Sequence, residues 1–188
     1  DNTLILFMGD NGTGKSVISK LGDQRVAGGK GSTKDAGVHV PLIASWPGIA
    51  AGRACPDLVD LSDFLPTICE CAGIPVPADL KIDGRSFLPQ IKGGKGNPRD
   101  WTYCWYSKEG NPKQAKEFAR SLRYKLYRDG SLYDMENDLQ EKRPLEDAKL
   151  DAEGRQTKAM LTEALAKYEH ARPADLQNIK GGGGEAGE

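Results

Sequence analysis

Gly29-Lys30-Gly31-Ser32-Thr33-Lys34-Asp35-Ala36-Gly37-Val38-His39 runs directly into Val40-Pro41-Leu42-Ile43-Ala44-Ser45-Trp46, which Pro47-Gly48 stops. The first half is a loop, because its glycines and small polar residues favour turns over any regular element. The second half is a short apolar run bounded by turn residues, the pattern of an interior strand. Upstream, Thr3–Met8 is a second continuous apolar run, and Gly9-Asp10-Asn11-Gly12 closes it. It reads as a fully buried strand ending in a loop. Two interior strands joined by a long glycine-rich connection predict an α/β arrangement in which the connection is functional or disordered.

Working outward, Leu58–Ala72 carries Leu58, Leu61, Leu65, Ile68 and Cys69 at helical spacing, with Gly73 as the stop. Pro66 falls inside this stretch, so the helix starts near it or is kinked there. Residues 74–99 are rich in proline and glycine and mark a boundary. Beyond it, Trp101–Tyr106 is aromatic and strand-like, and Ser121–Arg128 sets Leu122, Tyr124 and Leu126 against Arg123, Lys125 and Arg128. Asp129-Gly130 is a hairpin turn before Ser131–Met135. Gln156–Ala171 places Met160, Leu161, Ala164, Leu165 and Tyr168 on one helical face. The expected domains are 1–99, an α/β part, and 100–176, a small antiparallel sheet with a packed helix, followed by a flexible tail over 177–188.

The 188 residues hold 26 basic and 27 acidic side chains, a net charge of −1 that gives no bias toward nucleic acid or membrane. No apolar run approaches the ~20 residues needed to span a bilayer. Asp1-Asn2 leads straight into the first strand with no basic leader and no initiator methionine, as in a chain entered in mid-fold. Cys55, Cys69, Cys71 and Cys104 fit neither a zinc spacing nor a redox pair, and read as small apolar core residues.

Gly9-Asp10-Asn11-Gly12-Thr13-Gly14-Lys15-Ser16 matches the phosphate-binding pattern G-x-x-x-x-G-K-[ST] after a strand. A working P-loop needs a long helix next, yet Val17–Arg25 is broken by Gly22 and dissolves into Gly28-Gly29. It also needs a later strand ending in an acidic residue for Mg²⁺, and Val40–Trp46 ends in Trp46-Pro47-Gly48. Nucleotide binding through Gly9–Ser16 is therefore the alternative rather than the main reading.

Taken in order, the same residues resemble the sulfatases of the alkaline phosphatase-like superfamily. Leu4–Met8 followed by Gly9-Asp10-Asn11-Gly12 is similar to that family's strand and Asp-Asn-Gly loop. Residues 29–48 are similar to its Gly-Lys-Gly signature running to Trp-Pro-Gly. Asp60–Thr67, Ile82–Ser86, Tyr124–Tyr127 and Leu132–Asp138 follow as further landmarks. The resemblance implies the C-terminal part of a sulfatase-like sheet-and-helix domain plus a small antiparallel sheet with a packed C-terminal helix. It implies a sulfuric ester hydrolase acting on a sulfate ester, in a periplasmic, extracellular or otherwise secretory setting. A phosphoesterase of the same superfamily is the nearer rival, because metal-assisted phosphate transfer can reuse the fold.

The resemblance also assigns roles. Asp10 and Asn11 match residues that help hold a divalent ion, usually Ca²⁺, and a carboxylate with an amide carbonyl is the hard oxygen pair such an ion prefers. Lys30 matches the lysine that binds sulfate and stabilises charge in the transition state, on a loop whose glycines let backbone approach a ligand. His39 stands where many sulfatases carry arginine and is a candidate substrate contact, while Asp35 and Gly37 shape the loop. His170 reads as a bland helix residue. Sulfatases take their nucleophile, formylglycine, from Cys/Ser-x-Pro-x-Arg, and the 188 residues contain no such motif. The formylglycine and the remaining metal ligands are expected upstream of Asp1.

Overall fold

The computed structural model describes residues 2–108 and 115–171, in two compact units, one ending at Thr102 and the other beginning at Tyr103. The expected tail over 177–188 lies outside the described residues. Among those residues no helix is long and apolar enough to cross a membrane.

The first unit is built on an antiparallel ribbon of β1 (Ile5–Met8) and β4 (Leu42–Ser45), with Ile5 opposite Ser45 and Met8 opposite Leu42. Strand alternation sends Leu4, Leu6, Leu42 and Ala44 toward a core of Trp46, Phe87, Leu88 and Ile91. The other face holds Ile5, Phe7 and Ile43, which remain 57%, 61% and 57% exposed. The expectation of fully buried strands is corrected here. These residues are apolar enough for burial on both sides, but the unit's core covers one side only.

Within the long glycine-rich connection, residues 18–27 form a hairpin of β2 (Ile18–Leu21) and β3 (Gln24–Ala27). Gly22-Asp23 is its two-residue turn, with Gly22 at φ 58°. A single helical turn, α1 (Asp35–Val38), then leads into β4. The helix expected from Leu58 begins only at Phe64, as α2 (Phe64–Ala72), behind a 3-10 turn at Leu61–Asp63. Pro66 sets this start, since in a first turn its missing N–H leaves no hydrogen bond unmade. Gly73 at φ 67° ends the helix as expected, donating its N–H to Glu70 O at 3.2 Å. The short α3 (Leu88–Ile91) completes the core, and the Phe64 and Phe87 rings meet edge-on at 5.6 Å.

Asp63 organises this core. Its carboxylate accepts from Asp60 N at 2.8 Å, Arg85 N at 2.7 Å and Arg99 Nε at 2.9 Å, and Arg99 Nη2 closes a two-pronged ion pair. Its carbonyl takes the Thr67 hydroxyl at 2.6 Å, and Thr67 Oγ1 in turn accepts from Phe87 N at 3.0 Å. One buried carboxylate thus ties the 3-10 turn, α2 and the Ile82–Ser86 segment to Arg99. Two of these partners, Arg85 and Arg99, come from the stretch 74–99, and the first unit ends just beyond it at Thr102.

The second unit is a four-stranded sheet in the order β5 (Thr102–Tyr106), β6 (Lys116–Arg120), β7 (Tyr124–Tyr127), β8 (Leu132–Asp134). The pairs β6–β7 and β7–β8 are antiparallel. The turn at Asp129-Gly130 forms as expected, with Gly130 N donating to Tyr127 O at 3.0 Å. Helix α4 (Ala152–Lys167), capped by Asp151 accepting from Gly154 N at 2.7 Å, packs on β6 and β7 through Leu161, Ala164 and Leu165.

The polar face expected for Arg123, Lys125 and Arg128 is corrected at Lys125, which is 0% exposed. Its ammonium lies 2.8 Å from Glu141 Oε1 and 4.0 Å from the Phe118 ring centre, and Tyr127 OH donates to Glu141 Oε2 at 2.5 Å. A full set of charge and ring partners is what makes such burial tolerable. Leu122, expected on the apolar side, is exposed in the turn between β6 and β7. All four cysteines are free; Cys71 packs on the first core, whereas Cys55 is exposed, against the expectation of a core residue.

Two outcomes follow from these charges. Removing one partner of a buried ion pair leaves the other uncompensated, so Arg99→Leu should cost about 3–5 kcal/mol in urea unfolding. Asp63→Asn combined with Arg99→Leu should cost less than the sum of the two single changes. In the second unit burial works against the ionised form of Asp134, but hydrogen bonds from Arg123, Asn137 and Glu136 N outweigh it and hold its carboxyl below the ordinary value of 3.8. A depressed carboxylate contributes stability above its unfolded pKa that is lost as pH falls through the folded one. Thermal melts should therefore show the wild type losing ground to Asp134→Asn as pH drops from about 4 toward 2.

Candidate functional site

Three backbone segments converge at the end of β1. Gly12 N donates to Gly37 O at 2.8 Å, Gly29 N to Ala36 O at 3.1 Å and Lys30 N to Thr13 O at 3.0 Å. Ser32 folds its own loop back, with both its N–H (2.9 Å) and hydroxyl (2.7 Å) on Gly29 O. Two glycines make the convergence possible. A Cβ on Gly12 would overlap the Ala36 carbonyl oxygen, and one on Gly37 would overlap the Ser32 carbonyl oxygen. The Asp10-Asn11 loop, the Lys30 loop and the α1 turn are therefore held backbone against backbone, although 18 residues separate Gly12 from Lys30.

The candidate residues Asp10, Asn11, Lys30 and His39 lie on or next to these segments. Asp10 is exposed, and its Oδ1 accepts from Asn11 N at 2.9 Å, which orients the carboxylate over the loop. Asn11 is half-buried and Lys30 exposed. Asp35 is buried at the start of α1, and its Oδ2 lies 3.5 Å from Nδ1 of His39, a 68% exposed side chain at the end of the same turn. The donors fit a hard divalent ion in type, but only in part: Asp10 and Asn11 fall well short of the 6–8 oxygens that Ca²⁺ takes. Among the described residues no cluster of three or more His, Cys, Asp or Glu could complete the set.

Lys15 and Ser16 do not open a helix. They precede β2, and Val17 N turns back onto Gly14 O at 2.9 Å. A phosphate-cradling loop needs the amides of a helix N-terminus after the Gly-Lys-Ser run, so the match to that motif is one of letters alone. The hairpin that replaces the helix was signalled by Gly22-Asp23 between Leu21 and Gln24, a two-residue turn the broken-helix reading passed over. Arg99 carried no local signal, because its role depends entirely on where Asp63 lies.

A family model described as "N-sulphoglucosamine sulphohydrolase, C-terminal" matches residues 30–171. An uncharacterized sulfatase of Escherichia coli is 35% identical over 120 residues, 60% of this chain and 21% of its own length. Arylsulfatase A of Homo sapiens is 35% identical over 108 residues, 57% of this chain and 21% of its length. This chain thus spans about a fifth of the relatives it matches. Among solved structures, a 2-O GAG sulfatase superposes with a TM-score of 0.65 at 28% identity, covering 90% of this chain and 37% of that one. A phosphonate monoester hydrolase of Agrobacterium radiobacter superposes at 0.56 with 26% identity, over 74% and 31%.

The glycine contacts yield a direct test. Gly12→Ala should lower stability by about 1–3 kcal/mol, the usual cost of overpacking, and should speed amide exchange at Lys30 and Gly37. Gly14→Ala, where an added Cβ meets nothing within 4 Å, should leave both near wild type.

Proposed function

Because this chain belongs to the sulfatases, matching their C-terminal family model over residues 30–171, we propose that it forms the C-terminal part of a sulfuric ester hydrolase. The observation that carries the reading is the docking of the Lys30 loop against the Asp10-Asn11 loop through Lys30 N and Thr13 O at 3.0 Å. It sets the loop that carries a mobile cation against the loop that carries a pair of hard oxygen donors, which supports binding of a sulfate beside a divalent ion. The phosphonate monoester hydrolase likeness supports the shared fold, whereas the family model and the relatives favour sulfur over phosphorus.

On this reading the Lys30 ammonium meets a sulfate oxygen and opposes the negative charge that grows on the departing group. Its backbone is fixed before substrate arrives, so little reorganisation accompanies the reaction. Asp10 and Asn11 would contribute to holding a divalent ion, Ca²⁺ by preference, with the remaining ligands outside these residues. When bound, that ion supplies positive charge beside the sulfate. His39, steadied by Asp35, contacts the substrate at the margin. The nucleophile has no counterpart in this chain, so the chain by itself turns over no sulfate ester. We place the whole protein outside the cytoplasm, with residues 1–99 closing its α/β catalytic domain and 100–176 forming a C-terminal subdomain.

The two lysines separate the readings. In the whole protein Lys30→Ala should lower turnover of a chromogenic sulfate ester about 10²–10³-fold, the usual loss on removing one preorganised partner of transition-state charge. Lys15→Ala should have a far smaller effect and leave no ATP-binding defect to measure. Loss of activity in the Lys15 variant alone, at unchanged melting temperature, would overturn the assignment of Lys30.

A further inference from the structure

We propose that the β2–β3 hairpin is a second anion subsite beside the sulfate site, and that the substrate is a polyanionic glycan rather than a simple sulfate ester. The inference rests on the sulfatase reading for its first subsite, and on the hairpin itself for the second.

Lys20 and Arg25 are directly opposed in the hairpin register. Gly28 N donates to Val17 O at 2.9 Å, so alternation along the ladder makes Lys20–Arg25 a non-hydrogen-bonded pair, the kind whose side chains lie closest. Like charges placed this way destabilise a two-stranded ribbon that has little stability to spare. Among the described residues nothing compensates. Both residues are exposed, and among the described residues neither side chain makes an ion pair or hydrogen bond. The hairpin's one carboxylate, Asp23, lies in the turn, and Lys15 adds a further cation near the base. This local excess stands out in a chain whose net charge is −1.

Two facing cations are relieved by an anion shared between them. An arginine fork with an adjacent ammonium suits an oxyanion with several equivalent oxygens, whether a second sulfate or a sugar carboxylate. The hairpin's position ties this pair to the first subsite. Its two ends are the strands that leave Thr13 and return to Lys30, joined by the Lys30 N to Thr13 O bond. Arg25 precedes Lys30 by five residues, so the two backbones are at most ~18 Å apart. That span admits an anionic group on the same or the adjoining sugar. Ile18, on the same face as Lys20 and 55% exposed, offers apolar surface beside the cations.

The test uses the whole protein, a sulfated tetrasaccharide prepared from heparin, its desulfated counterpart and 4-nitrophenyl sulfate. Calorimetry should show the double variant Lys20→Ser, Arg25→Gln binding the sulfated tetrasaccharide at least tenfold more weakly, with a shallower salt dependence, while Lys20→Arg keeps wild-type affinity. In kinetics the loss should appear in KM, lowering kcat/KM for the tetrasaccharide relative to 4-nitrophenyl sulfate. If the desulfated tetrasaccharide shows the same sensitivity to the double variant, the bound group is the carboxylate; if not, it is sulfate. Unchanged affinity of the double variant, or a fall in turnover of both substrates in step, overturns the subsite. Variant-sensitive binding in a protein that hydrolyses no sulfate ester upholds the subsite and overturns the sulfatase reading instead.

Discussion

The contact between the glycine at the end of the first strand and the carbonyl two loops away is the constraint on which the candidate site depends. Gly12 and Gly37 let three backbone segments touch where any side chain would separate them. Once those segments touch, Gly12 N and Lys30 N find carbonyl partners that would otherwise need water, and the loop bearing Lys30 gains a fixed starting point. The cation remains free to move at the end of its stem while its root does not. A site of this kind combines a rigid frame with a mobile point charge, which suits an anion that changes shape as it reacts.

A second constraint holds the rest of the first unit. The Asp63 carboxylate is satisfied by two backbone amides and the Arg99 guanidinium, and the Asp63 carbonyl is linked through the Thr67 hydroxyl to Phe87 and the hydrophobic core. The segments resembling sulfatase landmarks at Asp60–Thr67 and Ile82–Ser86 are the two sides of this one arrangement, so their role is to build the frame. The second unit pairs two more carboxylates with cations, Glu141 with the buried Lys125 and Glu117 with the more exposed Arg128, whose fork meets it at 2.9 and 2.6 Å. In each, a nearly buried carboxylate is met by a cation.

Much of the fold was legible because it rests on local periodicity. The strands at Ile5–Met8 and Leu42–Ser45, the helix ending at Gly73 and the turn at Asp129-Gly130 each announce themselves within a few residues. The misreadings share one cause. Full burial of the first strand and exposure of Lys125 are statements about neighbours, and a run of letters names no neighbours. The hairpin over Ile18–Ala27 is different, for its Gly-Asp turn was present in the sequence and was masked by the stronger pattern of the phosphate-loop motif.

By itself the sequence determined the kinds of group on hand: a Gly-flanked Lys30, the oxygen donors Asp10 and Asn11, and the ordered segments that resemble a sulfatase. Residue identity and spacing carry chemistry of that sort, because donor type and backbone freedom are properties of single residues and short loops. Only the tertiary structure decided that Lys30 is rooted on Thr13, that Lys15 leads into a strand, and that Lys20 faces Arg25 across a ribbon. Each of these is a distance between residues far apart along the chain or set by a register. Such distances follow from which backbone groups pair, and pairing is settled by packing rather than by any residue alone.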